Sequence, residues 1–364
     1  MTVKQSLALI TMLMLAPGAM AVDYRLTTVA QGLDYPWCVA FLPGGELLVT
    51  ERPGALRRIS TAGEVGPPIE GVPEVLVRGQ GGLFDVVLHP DFADNQMIYL
   101  SYAHGEPKAN ATRIARGKLE GNALLNVEVI FTVTPNKRTP QHYGGKFLFL
   151  PDGTILLTTG DGFNHREQAQ NRAGLLGKTV RINADGSIPE DNPYVGQSDS
   201  HPAVWTYGHR NPQGLALDPA TGKIYLHEHG PRGGDEINPL TPGRNYGWPI
   251  ITWGIDYNGA LVTPYTAMPG LEQPMKYWVP SIAPSGLAVY RGDVFPEWNG
   301  DLFVGALVDK EVRRVVMENG RAVKEEALFS ELGARIRDVR VSPDGYLYVV
   351  TDASPGKVIR VDPA

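Results

Sequence analysis

The sequence predicts an all-β protein built as a six-bladed β-propeller of four-stranded antiparallel blades. Three observations predict this fold: a recurring turn-and-strand phrase, blade-length spacing between its copies, and a composition rich in turn residues. The chain has 364 residues with 42 Gly and 30 Pro, yet 43% of its residues are hydrophobic. A chain this apolar is not disordered, so many short strands with little helix are expected.

Each copy of the phrase is a proline-containing turn followed by four or five alternating apolar residues, which is typical of a half-buried strand. Six copies begin at Leu42, His89, Leu150, Asp218, Phe295 and Ser342. Neighbouring turn prolines lie 47 to 77 residues apart, which suits one blade per copy. Unrelated hairpins in a β-sandwich would not need this repetition. The longest insertions fall between the third, fourth and fifth copies, and enlarged loops on a rigid scaffold often carry binding chemistry.

The N-terminus has the pattern of a secretory signal. Lys4 precedes an apolar run over residues 7–16, and the small-residue pattern Ala-Met-Ala ends at residue 21. We therefore predict a signal peptide at residues 1–21 and a single propeller catalytic domain at residues 22–364. The apolar run is shorter than the roughly 20 residues that span a bilayer, so we expect a periplasmic or secreted protein without membrane insertion.

Charge and cysteine usage exclude several classes of function. The formal net charge of -6 gives no electrostatic basis for nucleic-acid binding. Cys38 is the single cysteine, which excludes an internal disulfide, cysteine-rich zinc sites and iron–sulfur clusters. No GxSxG or HExxH motif occurs, and the glycine-rich segments at residues 79–84 and 172–179 are incomplete nucleotide motifs. We expect a monomer or homodimer.

Two segments offer cations for an anionic or carbonyl ligand. Arg210 and Asn211 precede a proline turn in an inserted region, where they could bind a carboxylate or polarise a carbonyl. Arg335 and Arg337 stand two apart on a predicted strand, so both side chains project from one face. Such arginines repel each other unless an anion lies between them or each has its own acid. A solvated surface is the alternative for both segments.

His142 is a candidate general base. It stands just before Gly144 and Gly145, where the backbone can approach a ligand closely. An imidazole with a pKa near 6.5 suits removal of a hydroxyl proton near neutral pH. A structural turn histidine is the alternative, and the chain has eight histidines.

Residues 227–249 could bind a hard cation such as calcium, because they combine acidic side chains with turns whose carbonyls are free. The candidate oxygen ligands are Glu228, Asp235, Glu236 and the carbonyls of Gly230, Pro231 and Tyr246. Two alternatives remain open at this point: a transition-metal site at His227 and His229, and a purely structural turn.

Several segments together resemble the soluble, PQQ-dependent aldose sugar dehydrogenases, which are relatives of soluble glucose dehydrogenase. The resemblance extends from about residue 24 to residue 362. Its most specific segments are QHYGGKFLFLPDGTILLTTGDG, YGHRNPQGLALDP, HEHGPRGGDEINPLTPGRNYGWP and RIRDVRVSPDGYLYVVTD. The resemblance implies oxidation of an aldose at its anomeric carbon to a lactone, with hydride transfer to calcium-bound pyrroloquinoline quinone (PQQ).

The resemblance also implies roles for individual residues. His142 matches the catalytic base, and Arg210 matches a residue that would polarise the quinone together with calcium. The implied cofactor contacts are Gln80, Arg210, Asn211, Arg335 and Arg337, with Tyr257 bordering the cofactor or the sugar. The implied calcium ligands are the carbonyls of Gly230 and Pro231 at the cofactor, and Glu236 and Tyr246 at a second, structural position.

Two positions depart from soluble glucose dehydrogenase. Gln141 stands where that relative has an Asp before the base, so the group that orients His142 differs or is weaker. Val308 aligns nearest a cofactor-contacting Lys, and Lys310 could replace that Lys only through a shift of the strand end. The rival hypotheses are a calcium-dependent, lactonase-like propeller hydrolase and a non-catalytic exported binding propeller. No feature of the sequence assigns an electron acceptor.

Overall fold

A computed structural model describes residues 22–364, so the predicted signal segment lies outside the described residues. These residues form six four-stranded antiparallel sheets arranged as the predicted six-bladed propeller. Helix is scarce, as predicted: α1 (Phe92–Asn95) and three short 3-10 turns are the helical segments of this part of the chain. The 3-10 turns are Arg166–Ala169, Pro296–Trp298 and Ser330–Leu332. No helix within residues 22–364 has the length and apolar character needed to cross a bilayer.

The strands run in chain order through the blades. The first three blades contain β2 (Pro36–Phe41), β3 (Leu47–Glu51), β4 (Leu56–Ile59) and β5 (Val65–Pro68); β6 (Leu83–Leu88), β7 (Met97–Glu106), β8 (Ala109–Glu120) and β9 (Ala123–Thr132); and β10 (Phe147–Phe149), β11 (Ile155–Thr158), β12 (Lys178–Ile182) and β13 (Val204–Tyr207). The next two contain β14 (Pro212–Leu217), β15 (Ile224–Glu228), β16 (Asp235–Pro239) and β17 (Lys276–Trp278); and β18 (Pro284–Val289), β19 (Leu302–Ala306), β20 (Val312–Glu318) and β21 (Arg321–Leu328). The sixth contains β22 (Ile336–Val341), β23 (Leu347–Thr351), β24 (Gly356–Pro363) and β1 (Tyr24–Leu33).

The sixth blade closes the ring by joining the two ends of the described chain. Strand β1 pairs antiparallel with β24, so that Thr27 lies opposite Arg360. The first strands of the other five blades and β22 of the sixth contact each other around the axis, which makes them the innermost strands. The six blades therefore form a single closed ring, in which the innermost strand of each blade contacts the innermost strands of both neighbouring blades.

The recurring phrase of the sequence is the hairpin between the innermost and second strands of each blade. In the first blade the Leu42 amide donates to the Glu46 carbonyl at 2.8 Å, and in the sixth the Ser342 amide donates to the Tyr346 carbonyl at 2.8 Å. All six hairpins lie at one end of the ring, which we call the lower face. The innermost strands therefore all begin at the opposite, upper face, and the residues preceding them meet near the axis.

The hydrophobic core is divided into six clusters, one between each pair of neighbouring blades. Between the first two blades, for example, Trp37 and Leu48 pack against Leu83 and Leu100. Burial of these faces holds the blades rigidly, because interiors pack at close to crystal density. The loops of the upper face are therefore attached to a rigid β-sheet scaffold.

Charged side chains fill the axis itself, between the blades. We call Asp85, Lys146, Asp338 and Arg340 the axial ion cluster. Lys146 Nζ lies 2.7 Å from Asp338 Oδ1, while Arg340 contacts Asp338 at 2.9 Å and Asp85 at 2.7 Å. Asp85 and Asp338 are fully buried, and two cations match the two carboxylates. The cluster ties the second, third and sixth blades together at the centre.

Candidate active site

The predicted site residues converge at the upper face around His229. Burial first, and then the charges of nearby His227, Arg210, His142 and Arg337, lower the pKa of His229 well below its usual value. These side chains come from loops before β10 and β14, from the end of β15 and from the start of β22. The sequence-predicted base and cations therefore share one region of the fold.

His142 is held in a constrained loop before β10. It is buried, with 4% of its surface exposed, and its φ of 50° lies in the left-handed region. Its amide donates to Gln80 Oε1 at 2.8 Å, which fixes the loop to the second blade. Gly144 lets this loop lie against β11, since a Cβ there would come within 2.5 Å of the Thr158 carbonyl oxygen.

Asp161 orients the imidazole of His142. Its Oδ1 lies 2.7 Å from His142 Nδ1, and it also accepts hydrogen bonds from Trp248 Nε1 at 2.8 Å and from the Phe163 amide at 2.7 Å. An ionised carboxylate only accepts, so Nδ1 carries the proton and Nε2 keeps its lone pair. Burial alone would raise the pKa of Asp161, but the hydrogen bond and charge of His142 and the charge of Arg210 lower it.

The environment keeps His142 neutral. Burial is the main cause that lowers its pKa below 6.5, and the charges of Arg210 and Lys137 act in the same direction. The hydrogen bond and charge of Asp161 oppose this shift without reversing it. A neutral imidazole with a free Nε2 is the protonation state that a general base requires.

Arg210 is anchored between the loop after β15 and an aromatic wall. Its guanidinium donates to the Gly230 carbonyl at 2.7 Å and to the His229 carbonyl at 3.1 Å, and lies 5.4 Å from the ring centroid of Trp248. Nη2 also donates to the Tyr257 hydroxyl at 3.3 Å. Tyr257 is 57% exposed, so it borders the opening of the site.

Glu228 fixes the backbone of Arg210. It accepts from the Arg210 amide and lies 2.8 Å from His209 Nδ1. Asn211, the next residue, is buried and accepts from the Gly144 amide at 3.4 Å. Asn211 thus joins the segment that carries Arg210 to the base loop of the third blade.

Arg335 and Arg337 share one carboxylate. Arg335 Nε lies 3.0 Å and Arg337 Nη2 lies 3.2 Å from the same oxygen of Asp352. Arg337 Nη1 also donates to Gln213 and Ser285, at 3.2 Å each, whereas its buried Nε has no hydrogen-bond partner. Asp352 is therefore the acid that the sequence analysis expected near Arg335 and Arg337, but its single negative charge compensates only one of the two arginines.

Two cavities open beside these residues. One, of about 660 Å³, is lined by His229, Gly230, Pro231, Tyr257 and Val308 among others. The other, of about 140 Å³, lies between Arg210, Trp248 and Tyr257 and shares Pro231 and Tyr257 with the first. The first is large enough for a small-molecule cofactor.

The predicted calcium residues lie at the inner end of this region. Glu228 and Glu236 face each other on β15 and β16 and line a small cavity with Gly230 and Tyr246. Burial, and then the charge of Glu228, raise the pKa of Glu236 to about 8. The Tyr246 hydroxyl donates to the Pro239 carbonyl and accepts from the Thr241 amide, so only its backbone oxygen is left for a cation.

Side chains alone do not define a metal site here. Within residues 22–364, no group of three or more His, Cys, Asp or Glu side chains is placed to hold a metal ion. The Gly230 carbonyl, a predicted ligand, accepts from Arg210 at 2.7 Å. A cation at this position would need backbone oxygens, and the Gly230 carbonyl would have to divide its two lone pairs between that cation and Arg210.

A family model described as Glucose / Sorbosone dehydrogenase matches residues 33–360 of the sequence. This chain belongs to the glucose/sorbosone dehydrogenase family. The resemblance stated from the sequence is thereby confirmed, and the family supports sugar oxidation as the class of reaction.

Individual members of the family match almost the whole chain. The aldose sugar dehydrogenase YliI of Escherichia coli (strain K12) is 40% identical over 368 residues, covering 99% of this chain and 99% of that protein. A crystal structure of a glucose dehydrogenase has a TM-score of 0.90 at 46% identity, covering 92% of this chain and 99% of that chain. The PQQ-bound form of an aldose sugar dehydrogenase from Streptomyces coelicolor has a TM-score of 0.77 at 27% identity, covering 94% and 99%.

At one of the two positions that depart from soluble glucose dehydrogenase another residue takes over the expected role, and at the other no residue does. Gln141 is half-buried, and the group that orients His142 is Asp161 at the end of the neighbouring strand β11. Val308 is 57% exposed and lines the larger cavity, so no cation stands at that position. Lys310 is exposed in the turn after β19.

Sequence reasoning missed four residues that build the site: Asp161, Glu228 in its role beneath Arg210, Trp248 and Asp352. Asp161, Glu228 and Asp352 each bond to a residue that was found, 19 or fewer positions away, whereas Trp248 bonds to Asp161, 87 positions away. Asp161 and Asp352 could have been predicted from the sequence, because both follow the second strand of a blade, where the chain reaches the upper face. No sequence signal pointed to Trp248.

Proposed function

We propose that this chain oxidises aldose sugars at the anomeric carbon to lactones, using calcium-bound PQQ as the cofactor and His142 as the general base. The observation that carries the proposal is the neutral, buried His142–Asp161 pair, which lies against Phe163 at the edge of a cavity that Arg210 also lines. The Arg335–Arg337 pair lies at the same upper face. The name of the E. coli relative and the PQQ-bound S. coelicolor structure support the substrate class and the cofactor.

The residues present fit PQQ, a small ortho-quinone with three carboxylates. Arg335 and Arg337 share a single acid, and the buried Nε of Arg337 lacks a partner. Such an orphaned donor costs free energy unless a ligand satisfies it. An anionic ligand at this place would accept a hydrogen bond from Arg337 Nε and would neutralise the excess positive charge.

The residues also fit a calcium ion held mainly by oxygen atoms. Gly230 and Pro231 would offer carbonyls at the cofactor, while Glu236, paired with Glu228, and the Tyr246 carbonyl would hold a structural ion. Burial, and then the charge of the neighbouring Glu228, raise the pKa of Glu236. A divalent ion would offset that repulsion.

The chain's own residues would handle the proton and the developing charge. His142 Nε2 would take the proton of the anomeric hydroxyl, and Asp161 would stabilise the resulting imidazolium. Bound PQQ would supply the two-electron acceptor for the hydride that leaves the anomeric carbon. Arg210 would offset negative charge near the Gly230 loop, in an environment where such electrostatic stabilisation is strong. Phe163, whose ring meets His142 edge-on at 5.0 Å, would limit the access of water.

Reconstitution tests this function. Purified protein is incubated with PQQ and Ca²⁺, and reduction of an artificial electron-acceptor dye is followed with glucose and other aldoses. We expect dye reduction that requires PQQ, Ca²⁺ and sugar together. Hydrolysis of a lactone without any quinone, in the absence of dye reduction, would favour the hydrolase hypothesis. No activity and no quinone binding would favour a binding propeller.

A further inference from the structure

Arg52 lies at the upper face immediately after β3, next to the arginine pair of the sixth blade. Its amide donates to the Tyr35 carbonyl at 3.0 Å, and its guanidinium lies 4.8 Å from the Tyr35 ring centroid. The Tyr35 amide in turn donates to the carbonyl of Ala353, the residue that follows Asp352. Tyr35 therefore links Arg52 to the backbone of the residue next to Asp352, whose carboxylate binds Arg335 and Arg337.

Arg52 also contacts the loop that holds the base. Its carbonyl accepts from the Leu83 amide at 3.0 Å, and its side chain lies against Gly82, where a Cβ would come within 2.6 Å of Arg52 Cγ. Gln80, two residues earlier, binds the His142 amide. Arg52 therefore lies between the loops that hold His142 and the arginine pair of the sixth blade.

The charge of Arg52 is not compensated within the described residues. Among residues 22–364, no carboxylate lies within ion-pair distance of its guanidinium, and the guanidinium makes no hydrogen bond. It is half-buried, and its charge lowers the pKa of Arg337 after the larger effect of burial. Of the guanidinium groups of Arg52, Arg335 and Arg337, only the last two therefore contact the carboxylate of Asp352.

We propose that Arg52 binds a carboxylate of the cofactor together with Arg335 and Arg337, and supplies the cation that Val308 does not provide. This inference rests on the proposed function. Val308 follows Leu307, whose carbonyl accepts from Arg335 Nη1 at 3.1 Å, so positions 52 and 308 lie on opposite sides of the same arginine pair. A ligand with several carboxylates could contact a cation on either side.

Equilibrium binding of PQQ in the presence of Ca²⁺, measured by dialysis and absorbance, tests the inference without using turnover. We expect Arg52→Gln to raise the Kd for PQQ by about tenfold or more, because a charge-assisted contact is lost. Arg52→Lys keeps the charge and should change Kd by less than about threefold. Arg321→Gln, on the exposed outer strand β21, is the matched control and should bind as the wild type does.

A rescue variant addresses the link to Val308. Val308→Lys in the Arg52→Gln background should restore Kd to within about threefold of the wild type. An unchanged Kd in Arg52→Gln, or no recovery in the double variant, would overturn the inference. Thermal unfolding of each variant identifies misfolding, and if Arg52→Gln does not fold, Arg52→Met is measured in its place, with the same tenfold or larger rise in Kd expected. A wild-type protein that binds no PQQ would reject the proposed function and this inference with it.

Discussion

At the level of single residues, the proposed reaction depends on the protonation state of one imidazole. Burial and nearby cations lower the pKa of His142, and Asp161 opposes that shift while fixing which nitrogen carries the proton. The carboxylate is itself held by Trp248 and the Phe163 amide. Asp161 is therefore fixed by two hydrogen bonds of its own and holds the His142 imidazole in one orientation.

The first prediction concerns the base itself. His142→Gln keeps a polar side chain of similar size but cannot accept the proton, so turnover should fall by about 100-fold or more. The Kd for PQQ should stay within about threefold, since the arginines are unchanged. Steady-state kinetics and equilibrium binding measure the two effects, with His104→Gln on β7 as the control. Near-normal turnover would remove His142 from the mechanism.

The second prediction concerns Asp161→Asn and its pH dependence. Asp161 raises the pKa of His142, so its neutralisation should lower that pKa further. The base is active when neutral, and the acid limb of kcat/KM should therefore shift to lower pH. Turnover should fall by about 10²-fold or more, because the amide no longer stabilises the imidazolium. A loss of turnover with an unmoved acid limb would assign Asp161 a structural role only.

At the scale of strands and turns, the sequence predicted the repeated unit better than the site. The proline turns identified the inner hairpin of every blade, because turn chemistry is local and is read from a few neighbouring residues. Asp161 was missed since its partner, His142, comes from the preceding loop and is brought to it only by the pairing of β10 with β11. The pairing of Arg335 and Arg337 was predicted from their spacing, whereas Asp352, which lies between them, was not.

The third prediction concerns the axial ion cluster on the innermost strands. Asp338→Asn leaves Lys146 and Arg340 without one of their two buried carboxylates. Breaking a buried ion pair in this way costs about 3–5 kcal/mol, which should lower the thermal midpoint by at least about 5 °C. Glu331→Gln, at an exposed position, should change it by less than about 1 °C. Equal midpoints for the two variants would show that the cluster adds no stability.

At the scale of the whole molecule, the closed ring gives the upper face its fixed geometry. The six innermost strands all begin there, so residues far apart in sequence, such as His142 and Arg337, meet around His229. The repeat spacing predicted six blades, but the closing of the ring by β1 and β24 depends on pairing over more than 300 residues. Such pairing leaves no local pattern, and the sequence therefore predicted the blades without predicting which strand closes the ring.

The fourth prediction tests ring closure. Removal of residues 22–33 deletes β1, including buried Ala30 and Leu33, and exposes the edge of β24. Because each lost buried side chain costs about 2–5 kcal/mol, the thermal midpoint should fall by about 10 °C or more. The exposed strand edge should also promote association, detectable by light scattering. A midpoint within about 2 °C of the full chain would contradict a role for β1 in closing the ring.

We propose that the upper-face cavity holds a quinone that takes two electrons from an aldose. The most direct test of this proposal is an anaerobic titration of the protein, reconstituted with PQQ and Ca²⁺, with glucose while the quinone absorbance is recorded. We expect one equivalent of sugar to reduce one equivalent of bound PQQ and to yield one equivalent of lactone. A quinone spectrum that stays oxidised in the presence of excess aldose would contradict it.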